Sequence, residues 1–247
     1  MKHKTNWRKN LADPSNFKSN WDWCVAHSEY HFDNSIQDQE GDWMKVLGYF
    51  DDPSQWKAER DELVRRATKP INWATRKFYG DSDAESPMLA QEEYDIAQGG
   101  ADPKELMLTN MVDEFEDFPV LTRMKDYFGV EGQDGEFKAR SHVQLTGQMF
   151  NLHIDKLWDR CPEDPENVCR ITFFLDDWTP GQFILMGNFH YWGWRAGEAY
   201  IFDWANVPHA TANASNVVRP TIQITGLKTQ RTREIIENGS RHTQFKI

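Results

Sequence analysis

The stretch Asn151-Leu152-His153-Ile154-Asp155 (NLHID) places two strongly coordinating side chains, those of His153 and Asp155, two residues apart. On a β-strand, residues two apart project from the same face of the sheet. The pattern therefore predicts a strand that presents an imidazole and a carboxylate side by side. A site of this kind needs at least one more group, which must come from elsewhere in the chain.

A second imidazole, that of His209, follows His153 by 56 residues, which leaves room for several strands between the two. Two histidines and one carboxylate on one face of an octahedron form the ligand set of non-heme Fe(II) oxygenases. Arg219 follows His209 by ten residues, and a guanidinium one strand further on suits a bidentate grip on a carboxylate. Together these residues suggest an Fe(II) site next to a clamp for 2-oxoglutarate.

Downstream of the turn-rich segment 131–135, short apolar or alternating runs are separated by Gly, Pro and Asn. This pattern predicts strands at 139–145, 149–154, 170–175, 183–186, 190–194, 199–202, 211–214 and 220–225. A run of many short strands is typical of a closed or double-sheet architecture such as a jelly roll. The two histidines could then meet inside the mouth of a barrel.

Upstream of this region the sequence favours helices. Asp52-Pro53 and Asp102-Pro103 each combine an N-cap acid with a proline at the first helical position, and helices are predicted from there to about residues 69 and 117. A further turn or helix is predicted from Pro119 to Gly129, and a strand at 71–79. The expected fold class is mainly β with flanking helices.

We expect one domain over 1–247. It would comprise a mixed helical N-terminal elaboration at 1–135, a strand-rich core at 136–228 and a C-terminal tail at 229–247.

The net charge of −11 is concentrated in residues 81–117, which contain 12 acids and one base. An acidic protein gains nothing from counterion release, so nucleic acid is not expected as a partner. The acidic stretch is interpreted as a solvated helical face rather than a surface for a cationic partner. No apolar run is long enough to cross a membrane, and the three cysteines form no Cys-x-x-Cys motif. A cytoplasmic protein without a membrane partner is expected.

The chain resembles Fe(II)/2-oxoglutarate-dependent oxygenases in the order of five features. These are the His-x-Asp motif, a strand that begins Arg170-Ile171-Thr172, the turn at Gly197 before an aromatic strand, the segment VPHATAN at 207–213, and Arg219. The resemblance covers residues 140–228. It looks most like the aspartyl/asparaginyl β-hydroxylase-like branch, which includes bacterial free-proline hydroxylases. Aspartyl hydroxylases carry a histidine at the position of Thr172, and those of animals lack the iron carboxylate that Asp155 would provide. The proline-hydroxylase-like side of the branch is therefore favoured.

The resemblance implies a double-stranded β-helix core, which is the jelly-roll or cupin-like fold. It implies Fe(II), 2-oxoglutarate and O2 as reactants, and hydroxylation of an amino acid, a small metabolite or a protein side chain. The predicted metal ligands are His153, Asp155 and His209, and the predicted cosubstrate contacts are Arg219, Arg170, Thr172 and Gln148.

Several alternatives remain open on the residues alone. Arg170 is equally well explained by an inter-strand ion pair with Asp176 or Asp177. Trp194 and Tyr200 are better explained as core residues than as pocket residues. The whole chain could also be a non-catalytic jelly-roll binding module, or a cupin-type metalloenzyme that does not use 2-oxoglutarate.

Overall fold

The computed structural model describes residues 44–67, 110–112, 115–132, 137, 139–153, 155, 157, 160–187, 189–204, 207 and 209–247. The strands in these ranges are β1 (Met44–Phe50), β2 (Asn110–Val112), β3 (Ala139–Gln144), β4 (Met149–His153), β5 (Val168–Phe174), β6 (Gln182–Met186), β7 (Phe189–Tyr191), β8 (Glu198–Phe202), β9 (His209–Asn213), β10 (Arg219–Leu227) and β11 (Gln244–Phe245). The helices are α1 (Lys57–Ala67), α2 (Pro119–Tyr127) and α3 (Gln230–Asn238), with short 3-10 helices at Pro53–Gln55 and Pro165–Asn167.

The strands form two sheets. The major sheet has the order β11-β1-β8-β5-β10-β3-β2, and the minor sheet has the order β4-β9-β6-β7. From β3 to β10 the chain passes back and forth between the two sheets, which is the winding of a double-stranded β-helix. The predicted fold class, mainly β with flanking helices and a jelly-roll core, is confirmed. Each of the eight strands predicted between residues 139 and 225 is present, with ends that shift by up to three residues.

Alternation along the strands separates two packed layers. On β10, Ile222 and Ile224 point away from the minor sheet and pack against α1 and α2 in the outer core, with Phe173 of β5. Residues of the opposite parity, including Phe174 and Tyr200, face the space between the two sheets. The outer layer closes one side of the major sheet, so that any internal site must lie on the other side.

The helix starts predicted at Pro53 and at Pro119 correspond to real helix starts. Asp52 accepts a hydrogen bond from the backbone N–H of Ser54, and the 3-10 turn at Pro53–Gln55 leads directly into α1. Pro119 begins α2, and Gly129 follows its end at φ +64°, a conformation that glycine adopts without strain. Both predicted helix starts are therefore confirmed.

The helix predicted from Asp102-Pro103 is wrong at residues 110–112, because these residues form β2. They pair antiparallel with β3, in the register Asn110 with Val143, and extend the edge of the major sheet. A sheet ladder outweighs the helical spacing of the local apolar residues, since propensity is a weak prior against tertiary pairing. The rest of that prediction before residue 110, and the predicted strand at 71–79, lie outside the described residues.

The C-terminal segment, expected as a tail, contributes to the fold. Thr229 and Thr232 form a capping box that starts α3, and β11 then pairs parallel with β1. Neither β1 nor this pairing was predicted from the sequence. Within the described ranges, no helix has the length and the apolar composition needed to cross a bilayer.

Candidate metal and anion site

Two of the predicted metal ligands lie directly opposite each other on the minor sheet. Strand β4 pairs antiparallel with β9, and His153 and His209 are cross-strand partners. The register shifts between Phe150 and His153, so the strand is irregular at the point where the ligands lie. The side chain of His153 lies outside the described residues, and its predicted role as a ligand stays a prediction.

The ring of His209 is held in a defined orientation. Its Nδ1 lies 3.2 Å from the carbonyl oxygen of Val207. A carbonyl can only accept a hydrogen bond, so Nδ1 carries the proton and Nε2 keeps its lone pair in the neutral ring. Phe202 packs edge-on against the imidazole, with 4.7 Å between the ring centroids. An imidazole fixed in this way through one nitrogen is typical of metal-ligating histidines.

The other nitrogen of this ring, Nε2, faces the predicted carboxylate ligand. Nε2 of His209 lies 3.7 Å from Oδ2 of Asp155, and the two residues are 7% and 9% exposed. A lone pair and a carboxylate oxygen that face each other in a buried space are the donor set that a divalent cation requires. Within the described side chains no three such ligands form a group. Asp155 and His209 nevertheless fit the predicted Fe(II) site, with the backbone of His153 beside them.

Asp155 also forms an ion pair with Arg170 on β5. Nη1 of Arg170 lies 2.5 Å from Oδ2 of Asp155, and its Nε donates to the hydroxyl of Thr225 over 3.0 Å. The alternative ion pair of Arg170 with Asp176 or Asp177 is wrong. Asp176 instead binds Arg60 of α1 through hydrogen bonds of 2.9 Å from Nε, and Asp177 accepts the N–H of Ala196.

Arg219, the predicted carboxylate clamp, is the first residue of β10 and points into the space between the sheets. Its Nη1 donates to the carbonyl oxygens of Phe183 and Ala212 over 3.0 and 3.2 Å, and its Nη2 donates to Gln144. Ala212 lies three residues beyond His209 on β9, which corresponds to about 10 Å of strand. The guanidinium therefore lies one short molecule away from the metal ligands.

The charge of Arg219 has no acidic partner within the described residues. Arg219 is 5% exposed, and burial lowers the pKa of its guanidinium to about 10, although the group remains protonated at neutral pH. Its Nε and the indole Nε1 of Trp194 are both buried and lack a hydrogen-bond acceptor in the described part of the chain. The guanidinium carbon lies 5.9 Å from the ring centroid of Trp194.

Two unsatisfied donors next to an unbalanced positive charge are costly unless an anion binds them. A carboxylate supplies both the charge and the acceptor oxygens. The distal carboxylate of 2-oxoglutarate therefore fits this part of the site. Trp194 was expected to be a core residue. The sequence does not distinguish a core tryptophan from this one, because the difference lies in an N–H group that finds no partner among the described residues.

The other predicted cosubstrate contacts lie at different places. Thr172 is buried on the inner face of β5, opposite Tyr200 of β8. Gln148 lies in the β3–β4 turn, where its Oε1 accepts the N–H of Leu145 over 2.7 Å. Their roles as cosubstrate contacts stay predictions. Gln144, which was not among the predicted contacts, is the side chain that meets the guanidinium of Arg219.

Tyr200 lies between the two arginines. Burial raises the pKa of its phenol to about 12, although the neighbouring Thr172 and the positive charges of Arg219 and Arg170 act in the opposite direction. The phenol therefore remains neutral at physiological pH and can donate a hydrogen bond into the site. Together with Phe174 it separates the polar inner surface from the aromatic end of the barrel.

No family model matches the chain, and no curated protein matches its sequence. Among solved structures, it is similar to a Pseudomonas putida prolyl-4-hydroxylase at 15% identity, over 83% of this chain and 99% of that one, with a TM-score of 0.41. It is similar to a non-heme monooxygenase, ThoJ, in complex with nickel, at 14% identity over 37% and 43% of the chains (TM-score 0.32). A cupin 2 conserved barrel domain protein from Salinispora arenicola matches at 10% identity over 41% and 71% (TM-score 0.26). These similarities are too distant to carry an argument about activity.

Proposed function

We propose that the chain is an Fe(II)- and 2-oxoglutarate-dependent dioxygenase that hydroxylates a C–H bond of an amino acid, a small metabolite or a protein side chain. The observation that carries the proposal is Arg219. Its guanidinium is buried one short molecule away from Asp155 and His209, its Nε has no acceptor in the described part of the chain, and its positive charge is left for an anion to balance. A binding scaffold or a metalloenzyme without an anionic cosubstrate would not require it.

Each group of the site has a definite task in this proposal. His153, Asp155 and His209 would hold Fe(II), and Arg219 would hold the distal carboxylate of 2-oxoglutarate with the help of the Trp194 N–H. When bound, these reactants supply the oxidising power that converts a substrate C–H into C–OH, with 2-oxoglutarate split into succinate and CO2. The chain itself provides the ligands, the orientation and a dry space.

Aromatic side chains at one end of the barrel exclude water from the site. Trp194 stacks on Phe174 with 4.1 Å between the ring centroids and an angle of 7° between the planes, and Tyr191 packs against both rings. All three side chains are buried. Water is thus excluded on the side of the site that faces Arg219, which strengthens the attraction between the guanidinium and a bound carboxylate.

Within this class, we propose the proline-hydroxylase-like side of the aspartyl/asparaginyl β-hydroxylase-like branch. The support is Asp155, which is buried and faces His209 as an iron carboxylate would. Thr172 supports the same assignment, because aspartyl hydroxylases carry a histidine at this position. We expect neither nucleic acid nor a membrane as a partner.

The proposal is tested by anaerobic titration of the Fe(II)-loaded protein with 2-oxoglutarate, followed through the weak visible charge-transfer band of the chelate. We expect the band in the wild type and its absence in His209→Ala. Arg219→Gln should need at least about 100-fold more 2-oxoglutarate to reach the same band, because removing one side of a buried ion pair costs about 3–5 kcal/mol. Arg231→Gln, an exposed arginine of α3, is the matched control and should titrate like the wild type.

Two outcomes would contradict the proposal. If the iron-loaded wild type gives no band, the chain is a metalloenzyme of the cupin type that does not use 2-oxoglutarate. If the wild type does not retain iron, it is a binding module. Release of succinate in the presence of O2, measured on the same preparations, checks the chemistry separately from binding.

A further inference from the structure

A buried phenol and a buried carboxylate form a hydrogen-bonded pair that the proposed chemistry does not use. Tyr191 is the last residue of β7 and Glu198 is the first residue of β8, and they are 1% and 3% exposed. The phenol O–H of Tyr191 donates to Oε1 of Glu198. A carboxylate that accepts the hydrogen bond of a phenol can also take up its proton when the phenol loses an electron. The pair therefore combines an oxidisable group with its own base.

The charges around the pair favour transfer of that proton. Nε of Arg195 lies 3.7 Å from Oε2 of Glu198, and the guanidinium carbon of Arg241 lies 5.9 Å from the ring centroid of Tyr191. Burial, and then the negative charge of Glu198, raise the pKa of Tyr191 above its ordinary value, so the phenol is protonated before oxidation. Positive charges nearby oppose a second positive charge on the ring. Oxidation of Tyr191 should therefore give a neutral radical, with the proton on Glu198.

A series of packed rings connects this pair with the metal ligands. The ring of Tyr191 lies 5.8 Å from that of Tyr200, and Tyr200 lies 6.4 Å from Phe202, measured between centroids. Phe202 in turn contacts the imidazole of His209. Tyr200 is the tyrosine nearer to the metal ligands, but its phenol lies beside the hydroxyl of Thr172, which is not a base at neutral pH. An oxidised metal site would therefore draw an electron through Tyr200 from Tyr191.

The rings continue from Tyr191 to the protein surface. Tyr191 packs against Trp194, and the backbone N–H of Trp178 donates to the carbonyl oxygen of Trp194 over 2.9 Å. The ring of Trp178 lies 5.7 Å from that of Trp192, which follows Tyr191 in the chain and is 59% exposed. An exposed tryptophan at the end of a buried series of rings can receive an electron from a reductant in solution.

We propose that Tyr191 and Glu198 form a redox pair that reduces the metal site when it becomes oxidised without a substrate. The inference rests on the proposed function, in which 2-oxoglutarate and O2 supply the oxidant. The oxidant gains one electron through Tyr200 from Tyr191. The phenolic O–H bond breaks, the proton moves to Oε1 of Glu198, and a neutral tyrosyl radical remains. The site is thereby spared irreversible oxidation of its own side chains.

A reductant of the thiol or ascorbate class restores the pair. It gives one electron to the radical through Trp192, and Glu198 returns the proton to the phenol. Each cycle moves one electron and oxidises one molecule of reductant by one electron, with release of one proton. Two cycles supply the two electrons and two protons that return the metal to Fe(II) and release its oxygen atom as water.

The first test needs no iron. The metal-free protein is illuminated by flashes in the presence of a ruthenium tris(bipyridine) photo-oxidant and persulfate, and radicals are followed by absorption and by electron paramagnetic resonance. We expect a long-lived neutral tyrosyl radical that is lost in Tyr191→Phe and retained in Tyr127→Phe, a matched control in the outer core. In Glu198→Gln, which keeps an acceptor for the phenol but no base, the radical should form about 100-fold more slowly.

A long-lived radical that persists in Tyr191→Phe, or that forms at the wild-type rate in Glu198→Gln, would overturn the inference. Both substitutions change a buried pair, so a third variant keeps the test decisive if they fold poorly. Trp192→Phe alters only an exposed ring, and it should slow formation of the Tyr191 radical several-fold. An unchanged rate in Trp192→Phe would exclude the proposed route to the surface.

The second test connects the pair with the metal site. Protein loaded with Fe(II) and 2-oxoglutarate is mixed with O2 without substrate or reductant and frozen within the first turnover. Electron paramagnetic resonance should show the Tyr191 radical in the wild type. In Tyr191→Phe, mass spectrometry should find more oxidation of Tyr200 and Trp194, because the electron then comes from side chains without a base.

The release of succinate in the same samples distinguishes the two proposals. If succinate is released while no radical forms at Tyr191 and the oxidised side chains are the same in both proteins, the inference is wrong. If the wild type releases no succinate, the result counts against the proposed function. The iron-free experiment then still decides whether Tyr191 and Glu198 are a redox pair.

Discussion

The two faces of the major sheet are built from alternate residues of the same strands, yet they differ in how completely their groups are satisfied. The outer face buries Phe173, Ile222 and Ile224 against the helices in an apolar layer without charges. The inner face carries Arg170 and Arg219, and several buried donors there lack acceptors among the described residues. On the outer face, the hydroxyl of Ser141 is buried without a hydrogen-bond partner among the described residues, whereas the inner face leaves Nε of Arg219 and Nε1 of Trp194 in that state beside a buried positive charge.

This difference separates residues that stabilise the fold from residues that carry the proposed activity. A polar group buried without a partner costs free energy, and few remain in a folded protein without a reason. Their concentration on one face points to a site that is stabilised by its ligands. Substitutions on the outer face should therefore mainly lower the free energy of unfolding, whereas substitutions on the inner face should mainly weaken ligand binding.

The largest expected effect concerns stability and lies on the outer face. Phe173→Ala should lower the free energy of unfolding by about 3–5 kcal/mol, because it removes a fully buried ring and leaves a cavity. The adjacent inward change, Thr172→Val, should alter it by less than about 1 kcal/mol, since the hydroxyl has no well-formed hydrogen bond within the described residues. Urea unfolding measures both. Similar losses for the two variants would show that the faces do not differ as proposed.

A smaller effect is expected on the affinity for 2-oxoglutarate. It is seen by comparing Trp194 on the inner face with Trp56 on the outer face, both of which are buried. Trp194→Phe keeps the stacking on Phe174 but removes the indole N–H, which has no acceptor in the described part of the chain, so 2-oxoglutarate should bind about tenfold more weakly. Trp56→Phe, on the outer face, leaves the carbonyl of Leu175 without its donor and should cost about 1–3 kcal/mol of stability. Calorimetry and urea unfolding of both variants test the contrast. Equal loss of affinity in the two variants would exclude the indole N–H of Trp194 as a ligand group.

The smallest expected effect is the pH dependence introduced by His142. Its folded-state pKa of about 3 lies below the ordinary value of 6.5, so between these values the folded state binds fewer protons than the unfolded chain. Stability then rises with pH through this window and is lost as the pH falls from 6.5 towards 3. The contribution is at most about 1.4 kcal/mol per pH unit.

We expect His142→Gln to flatten the dependence of unfolding free energy on pH between about 4 and 6.5 and to leave it unchanged above pH 7. Urea unfolding at a series of pH values measures this. The pKa of His142 is lowered first by burial and then by Arg170 and Arg140, while Asp155 and Gln223 raise it, and these four side chains remain in the variant. If the slope below pH 6.5 is the same in both proteins, His142 is not the source of this pH dependence.

The local sequence pattern was sufficient to predict the strands of the β core. Alternation and turn residues predicted all eight strands from β3 to β10, because side-chain parity on a strand is a property of the sequence alone. It was insufficient at 110–112, where a helical spacing of apolar residues was overridden by pairing with β3. It also gave no sign of β1, or of its pairing with β11. These two strands depend on partners that lie 149 or more residues away in the chain, as Tyr49 and Glu198 do.

For the candidate site, the sequence determined the types of groups: an imidazole and a carboxylate two residues apart, a second imidazole, and an arginine ten residues after it. Only the tertiary structure decided that Arg170 binds Asp155, and that Arg219 and Trp194 keep donors without acceptors in the described chain. The physical reason is that a residue's type and parity are fixed locally, whereas its partner and its burial depend on which distant strands become neighbours. A hydrogen-bond donor can be recognised as unsatisfied only when its neighbours in the folded chain are known.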